Sequence, residues 1–275
     1  MHSMTQAEKG HAFRALHERE GAFLIPNPWD IGTARMLAQL GFEALATTSA
    51  GFAFSIGQCD NTVSREQMMA HVSAIAEATQ LPVSADLENG FGDSPEFVAE
   101  SIRLAIAAGL AGCSIEDATQ QSDNPLYDHS YAADRIRAAA EVAHGLPFPF
   151  TLTARAENYL VGRADLRDTI KRLQSYQEAG ADVLYAPGLT STDEIVAVVS
   201  SVDRPVNVLM GLAGVPFGLQ ELTEIGVKRV SVGSALSRAS FGAFLRAAKE
   251  MQEHGTFSFA QEAVGFQEIS AMLRK

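Results

Sequence analysis

The chain has 275 residues and a formal net charge of −12, a balance that argues against nucleic acid and anionic membrane surfaces as partners. No apolar stretch reaches membrane-spanning length and no signal peptide opens the sequence, so a cytoplasmic setting is expected. Its two cysteines, Cys59 and Cys113, are too few for a disulfide framework and lack metal-ligand spacing.

In chain order, a charged segment of helical period over 5–20 reads as a lid or bottom helix. A short apolar run at 22–25 then reads as a strand, ending in Pro26-Asn27-Pro28-Trp29-Asp30, where Asp30 can cap a helix over 31–40. Gly41 stops that helix, 43–47 is a second strand, and the chain then reads as a long loop through Asp60. Ser64, with Gln67 three residues on, opens a helix over 65–79 as a capping box. The unit then repeats. Strands are expected at 83–86, 112–116, 150–155, 183–186, 206–210 and 229–232. Helices are expected at 95–108, 132–144, 166–179, 192–200, 216–225 and 234–254.

Eight strand–helix units in this length imply an α/β fold, a (β/α)8 TIM barrel, as one domain over 1–275. An open doubly wound sheet is the alternative, but no Gly-rich dinucleotide fingerprint follows the first strand. Beyond the eighth unit, Phe259, Ala263, Phe266, Ile269 and Leu273 recur at helical spacing. This extra C-terminal helix over 257–275 has no slot in an eight-fold ring. It must cover the barrel's own surface or, the preferred expectation, pack on a partner protomer.

In such a barrel, function gathers at the carboxyl ends of the strands. The third strand ends in Asp86 and Glu88, spaced two apart, so that strand alternation places both on one side. Two like charges held that close repel unless a positive charge lies between them. A divalent cation answers this, and Mg²⁺ suits carboxylate-plus-water coordination; a solvated acidic turn is the plain alternative. Other strand ends supply Thr47-Thr48-Ser49-Ala50-Gly51 with Asp60 beyond, Glu116-Asp117, Arg155 with Glu157, and Asn207. Arg155 could hold a substrate carboxylate bidentately, or could pair structurally with Glu157 or Asp117. The Thr-Thr-Ser-Ala-Gly turn could offer hydroxyls and N–H groups to a second oxygen.

Absences narrow the chemistry. None of the five lysines (Lys9, Lys171, Lys228, Lys249, Lys275) lies at a strand's carboxyl end, which disfavours a Schiff-base aldolase. No histidine ends a strand, which leaves a His-rich zinc site unsupported; His129 reads as a solvated loop residue. Val232-Gly233-Ser234-Ala235 resembles a phosphate-cradling turn, weakly.

The set Thr48-Ser49-Ala50-Gly51, Asp60, Asp86-Leu87-Glu88-Asn89-Gly90-Phe91-Gly92, Glu116-Asp117 and Thr153-Ala154-Arg155 resembles the isocitrate lyase / phosphoenolpyruvate mutase superfamily. The resemblance implies a barrel that binds Mg²⁺ (or Mn²⁺) and a 2-oxo or 2-hydroxy carboxylate. It also implies an oligomer, a dimer or tetramer, in which the last helices swap between protomers. Asp86 would then be the direct metal ligand, with Asp60, Glu88 and Glu116 holding metal-bound waters. Arg155 would clamp the substrate carboxylate, and Ser49, Ala50 and Gly51, with Thr48, would line the 2-oxo acid pocket. Asn124 falls where phosphonate-active members place a loop asparagine, and the loop carrying it would act as a gating lid.

One departure matters. Where isocitrate and methylisocitrate lyases carry a Lys-Lys-Cys-Gly-His-type segment, this chain has Ala118-Thr119-Gln120-Gln121-Ser122-Asp123-Asn124-Pro125, with neither thiol nor lysine. A positioned acid contributes ~10²–10⁴-fold, so isocitrate-type cleavage should fail. The leading expectation is a Mg²⁺-dependent lyase that breaks the C–C bond next to a 2-oxo acid through a metal-stabilised enolate, as an oxaloacetate decarboxylase does. A P–C bond enzyme, motivated by Asn124, and a non-catalytic 2-oxo acid binder are the alternatives.

Overall fold

The computed structural model describes residues 3–274. Its strands are β1 (Phe23–Ile25), β2 (Leu45–Ala46), β3 (Val83–Asp86), β4 (Gly112–Glu116), β5 (Thr151–Arg155), β6 (Val183–Tyr185), β7 (Val206–Leu209) and β8 (Arg229–Ser231). All pair in parallel, in the order β1-β8-β7-β6-β5-β4-β3-β2. The remaining seam, between β1 and β2, is bridged by Ala46 N–H donating to Pro26 O (3.1 Å) and Asn27 Nδ2 donating to Thr47 O (3.0 Å). The nearly closed sheet is the expected (β/α)8 barrel.

Around it lie α1 (Gln6–Glu18), α2 (Ile31–Gln39), α3 (Ser49–Ser55), α4 (Arg65–Ala78), α5 (Pro95–Ala107), α6 (His129–His144), α7 (Leu166–Glu178), α8 (Thr192–Ser200), α9 (Leu219–Glu224) and α10 (Ala235–His254). The capping boxes at Ser64 and Asp30 form, each side chain accepting from the N–H three residues on. Segment 5–20 is a bottom helix. Phe13 and Leu16 of α1 bury in one cluster with Phe23, Ile25, Ala44 and Ala111, closing the end of the barrel where β1, β2 and β4 begin. Gly10 permits that approach, since a Cβ there would lie 2.2 Å from Pro149 O and push α1 off the barrel.

Alternation along the strands sorts two environments. One face sends Cys113, Ile115, Leu152, Ala154, Val206, Val208 and Val230 outward into the core shared with the helices, together with Met68, Ile75, Ile102, Ile136, Leu173 and Ile195. Burying each such Leu or Ile contributes about 1.5–3 kcal/mol. The other face sends Ser84, Ser114, Asn207, Arg229 and Ser231 toward the barrel axis. Barrel interiors are ordinarily filled by Val, Ile and Leu, so this small-polar lining leaves room inside.

Two segments differ from the sequence expectation. The span after β2 is not all loop: Thr48 caps α3 by accepting from Gly51 N–H at 3.2 Å. At the other end, the helix expected over 257–275 is broken into a 3₁₀ turn (Ser258–Gln261) and α11 (Phe266–Met272). Glu250 turns the chain there by accepting from Ser258 N–H (2.6 Å) and Phe259 N–H (3.1 Å). Lys275 lies outside the described residues. α11 lies against α2, yet Phe266 remains 87% exposed, and Phe244 and Phe257 are exposed too. Among the described residues, no helix is long and apolar enough to cross a membrane.

Candidate active site

The carboxyl ends of the strands surround a cavity of about 380 Å³, within the ~300–1,000 Å³ usual for small-molecule sites. Thr48, Ser49, Ala50, Asp60, Asp86, Glu116, Arg155 and Asn207 all line it. Candidate residues as far apart in sequence as Thr48 and Asn207 therefore meet in one space. A larger hollow of about 500 Å³ at the amino-terminal end carries no comparable acid cluster, and its His144 is paired with Asp182 at 3.1 Å. Because barrel chemistry is built at the opposite end, the smaller cavity is the candidate site.

Arg155 is its electrostatic centre. Nη1 donates to Asp86 Oδ1 (2.9 Å), Nε to Glu157 Oε1 (2.9 Å), and Nη2 lies 3.2 Å from Glu116 Oε2. Its guanidinium also lies 5.2 Å from the Tyr185 ring centroid. Burial works against the charge on Arg155, but Glu157, Glu116 and Asp86 outweigh it and hold the guanidinium ionised. Of the two structural pairings considered for Arg155, the one with Glu157 forms. Asp117 instead accepts from Arg172 Nη1 (2.9 Å), the Tyr176 hydroxyl (2.5 Å) and Glu157 N–H (2.8 Å), tying the ends of β4 and β5 together.

One guanidinium does not balance the acids around it. Burial, with Asp86 adding, raises Asp60 above the usual carboxylate range. Burial raises Glu116 and Glu157 as well, against the pull of Arg155. Glu88 is pushed up to about 8 by burial and by the charges of Asp86 and Asp60. This carboxyl does not follow strand alternation. β3 ends at Asp86, and Glu88 adopts a left-handed conformation (φ 51°). It lines an adjoining depression with Asn61 and Gln120 rather than the main cavity. Its Oε2 accepts from Gln120 Nε2 (3.2 Å), while Oε1 is buried without a partner among the described residues.

An excess of buried carboxylates with an orphaned oxygen is what a divalent cation would relieve. Among the described residues, no three His, Cys, Asp or Glu side chains are gathered closely enough to hold an ion alone. The acids present fit a divalent cation carried on one or two carboxylates with retained waters rather than an all-protein cage.

The raised Glu88 gives a pH test. Its ordinary value is 4.5 and its folded value about 8, so between these the folded state holds the extra proton and stability falls as pH rises. Glu88→Gln keeps the neutral shape. In EDTA its melting temperature should exceed the parent's by a margin that widens from pH 5 to 8.5; a margin independent of pH would contradict this origin.

Ser49 is the first residue of α3, and both its N–H (3.2 Å) and its hydroxyl (2.9 Å) donate to Asp86 Oδ2. Gly51 does not line the cavity. It is buried, and a Cβ there would lie 2.6 Å from Thr48 Cγ2 and 3.1 Å from Trp29 Cβ, so it lets α3 seat against the barrel. Asn207 is buried in the interior, donating to Ser231 Oγ (2.9 Å). Asn124 is exposed in the loop after β4 and stands outside the cavity lining. That loop is pinned by an antiparallel bridge between Ala118 and Leu126, and Thr119 Oγ1 donates to Asn124 O. The turn at 232–235 is no free phosphate cradle, because Val232 N–H (2.9 Å) and Gly233 N–H (3.0 Å) both donate to Asn27 Oδ1. His129 opens α6 and lies 3.0 Å from Ser175 Oγ.

Sequence reasoning missed two further arginines. Arg135, inside α6, donates to the carbonyls of Asp93 (2.9 Å), Glu116 (3.2 Å), Gly92 (2.9 Å) and Asn89, with its guanidinium 4.0 Å from the Tyr127 ring centroid. It fixes the loop that carries Glu88. Arg229 lines the cavity from its first β8 position. A buried arginine in a helix or at a strand start has no local sequence signal, because its partners come from distant parts of the chain.

Residues 13–252 match the family model for phosphoenolpyruvate phosphomutase. An uncharacterized protein of Mycobacterium tuberculosis is 33% identical over 246 residues, covering 88% of this chain and 89% of that one. The 2-methylisocitrate lyase of Escherichia coli is 29% identical over 195 residues, 68% of this chain and 64% of that enzyme. Among solved structures, a candidate lyase/mutase of Burkholderia cenocepacia superposes with a TM-score of 0.96 at 61% identity, covering 98% of this chain and 97% of that one. A 2,3-dimethylmalate lyase of the PEP mutase/isocitrate lyase superfamily gives 0.84 at 25% identity, over 98% and 94% of the two chains.

Proposed function

This chain belongs to the phosphoenolpyruvate phosphomutase family, a group of lyases and mutases, and on that premise we propose that it is a Mg²⁺-dependent lyase. Its substrate is a small 2-oxo or 2-hydroxy dicarboxylate, cleaved at the C–C bond next to the 2-oxo acid. The supporting observation is a single guanidinium, Arg155, set among Asp86, Glu116 and Glu157 in a cavity at the strand ends, with the carboxyls of Asp60 and Glu88 nearby and both raised by burial and by the charge of Asp86. The names 2-methylisocitrate lyase and 2,3-dimethylmalate lyase among its relatives suit the same class of acid.

In this reading Asp86 is the direct metal ligand, and Asp60, Glu88 and Glu116 hold metal-bound water. When bound, the ion supplies a Lewis acid for the charge that develops beside the 2-oxo group. Arg155 does two things in turn. It holds Asp86 at 2.9 Å until that carboxylate is committed elsewhere, and its freed Nη1 then takes the substrate carboxylate. Ser49 and Ala50 line the wall that receives the 2-oxo acid, with Thr48 beside them. Asp60, which lies 3.5 Å from the Ser49 hydroxyl and has a raised pKa, is placed to hold a proton at its carboxyl. Asn124 takes part only if the loop after β4 folds over the cavity.

Steady-state turnover with Mg²⁺ across a panel of 2-oxo and 2-hydroxy diacids tests the reading. Product formation that EDTA abolishes is expected. Turnover of phosphonopyruvate alone, followed by phosphorus NMR, would favour P–C chemistry, and binding without any turnover would favour a non-catalytic binder. The exposed Phe244, Phe257 and Phe266 further lead us to propose that a second copy covers the C-terminal helices. Light scattering showing a monomer at micromolar concentration would remove that part.

A further inference from the structure

Arg229 carries a buried charge that the reading above does not use. It is only 5% exposed, and its partners are all neutral. Nε donates to Asn207 Oδ1 (2.8 Å), Nη2 donates to Thr153 Oγ1 (3.0 Å), and Nη1 faces His17 Nε2 at 3.4 Å. His17 Nδ1 lies 2.9 Å from Phe13 O, which places the imidazole proton on Nδ1 and leaves Nε2 as an acceptor. His17 is thus neutral, in keeping with burial and the Arg229 charge lowering its pKa to about 3. A guanidinium has five N–H groups. Three are engaged, so two have no protein acceptor among the described residues. Among the described residues no carboxylate offsets the charge, and burial depresses Arg229 to about 10. An isolated buried cation is costly unless something anionic reaches it.

The cavity supplies the route. Arg229 lines it together with Ser84, Ser114, Asn207 and Ser231, small polar side chains where a barrel interior ordinarily holds branched apolar ones. Arg155, Tyr185, Asn207 and Arg229 are successive register partners across β5 to β8. Thr153, which holds Nη2 of Arg229, lies two residues before Arg155 on the same face of β5, about 7 Å of strand rise below it. Two guanidiniums thus stand at different depths of one polar space. The upper one is surrounded by acids, and the lower one has none.

We propose that Arg229 is an anion-binding group at the cavity floor that takes the far carboxylate of a substrate whose near carboxylate is held by Arg155. The proposal rests on the 2-oxo or 2-hydroxy acid reading and narrows its substrates to diacids that keep the far carboxylate. A guanidinium stabilises that group's charge and so opposes its loss as CO₂, which favours cleavage that keeps the far carboxylate over the oxaloacetate-type decarboxylation expected from the sequence.

Calorimetric binding of racemic malate and racemic lactate, with Mg²⁺ present, separates the possibilities, since lactate lacks only the far carboxylate. The parent protein should bind malate ~10–100-fold more tightly than lactate, the range for a charge-assisted hydrogen-bonded contact. Arg229→Gln should erase that preference by weakening malate alone, with lactate affinity kept within about twofold. If Arg229→Gln does not fold, Arg229→Lys keeps the charge without the planar fork and should narrow the malate-to-lactate ratio about fivefold or more. Equal weakening of both acids, or an unchanged ratio in the variants, would overturn the Arg229 assignment while leaving the acid-binding reading intact. Failure of the parent to bind either acid would instead overturn that reading, and this proposal with it.

Discussion

Arg155→Gln should be inactive, less stable, and yet bind Mg²⁺ more tightly than the parent. The three effects share one cause. Arg155 is the positive partner of Asp86, Glu116 and Glu157, all buried or nearly so. Removing one partner of such a buried set costs about 3–5 kcal/mol, because the remaining charges are left uncompensated. The loss should deepen with pH. Without the guanidinium, the acids' folded pKa values rise further, and a raised carboxyl destabilises the fold once pH climbs above its unfolded value. Melting in EDTA should therefore show a larger deficit at pH 8 than at pH 5.5. A divalent ion no longer competes with Arg155 for Asp86, so Mg²⁺ should restore more stability to the variant than to the parent. Equal Mg²⁺ affinity in the two proteins would mean that the ion and the guanidinium do not share Asp86.

Asp86→Asn should separate chemistry from folding in the opposite sense. The amide keeps the shape: its one oxygen can accept from Arg155, which now bonds Oδ1 (2.9 Å), while its NH2 in place of Oδ2 can donate to the Ser49 hydroxyl (2.9 Å) but faces the Ser49 N–H (3.2 Å) as a second donor. It also removes a charge that raises Asp60 and Glu88. That relief offsets the lost contacts to Arg155 and the Ser49 N–H, so melting temperature in EDTA should change far less than in Arg155→Gln. Turnover should fall by at least ~10³-fold, the equivalent of the ~4 kcal/mol or more that Lewis-acid stabilisation supplies. A variant that retains a tenth of the parent's turnover would remove Asp86 from the role of direct ligand.

Much of the barrel was legible because each unit has its own punctuation. Ser64 with Gln67, and Asp30 before 31–40, mark helix starts that the structure reproduces, and the helix expected over 192–200 is α8. The acids were legible because they end apolar runs. What failed was local reasoning about segments whose conformation is set from outside. α3 was hidden by Gly51, a poor helix former kept for its contact with Thr48 and Trp29. The C-terminal apolar spacing was read straight through the turn that Glu250 imposes. Glu88 was placed by an alternation that stops at Asp86, and its nearness to Asp60 and Asp86 comes instead from a loop held by Arg135. Arg229 could not be seen at all, because Asn207, Thr153 and His17 lie 22, 76 and 212 residues away.

A crystal grown with Mn²⁺ and soaked with oxalate, examined by anomalous scattering, puts the decisive question to a pair of oxygens on β3. A single strong peak bonded to Asp86, with Arg155 turned off that carboxylate and onto the oxalate, is the predicted result. An ion seated elsewhere, or oxalate bound while Arg155 keeps all three of its acids, would contradict the shared-carboxylate site.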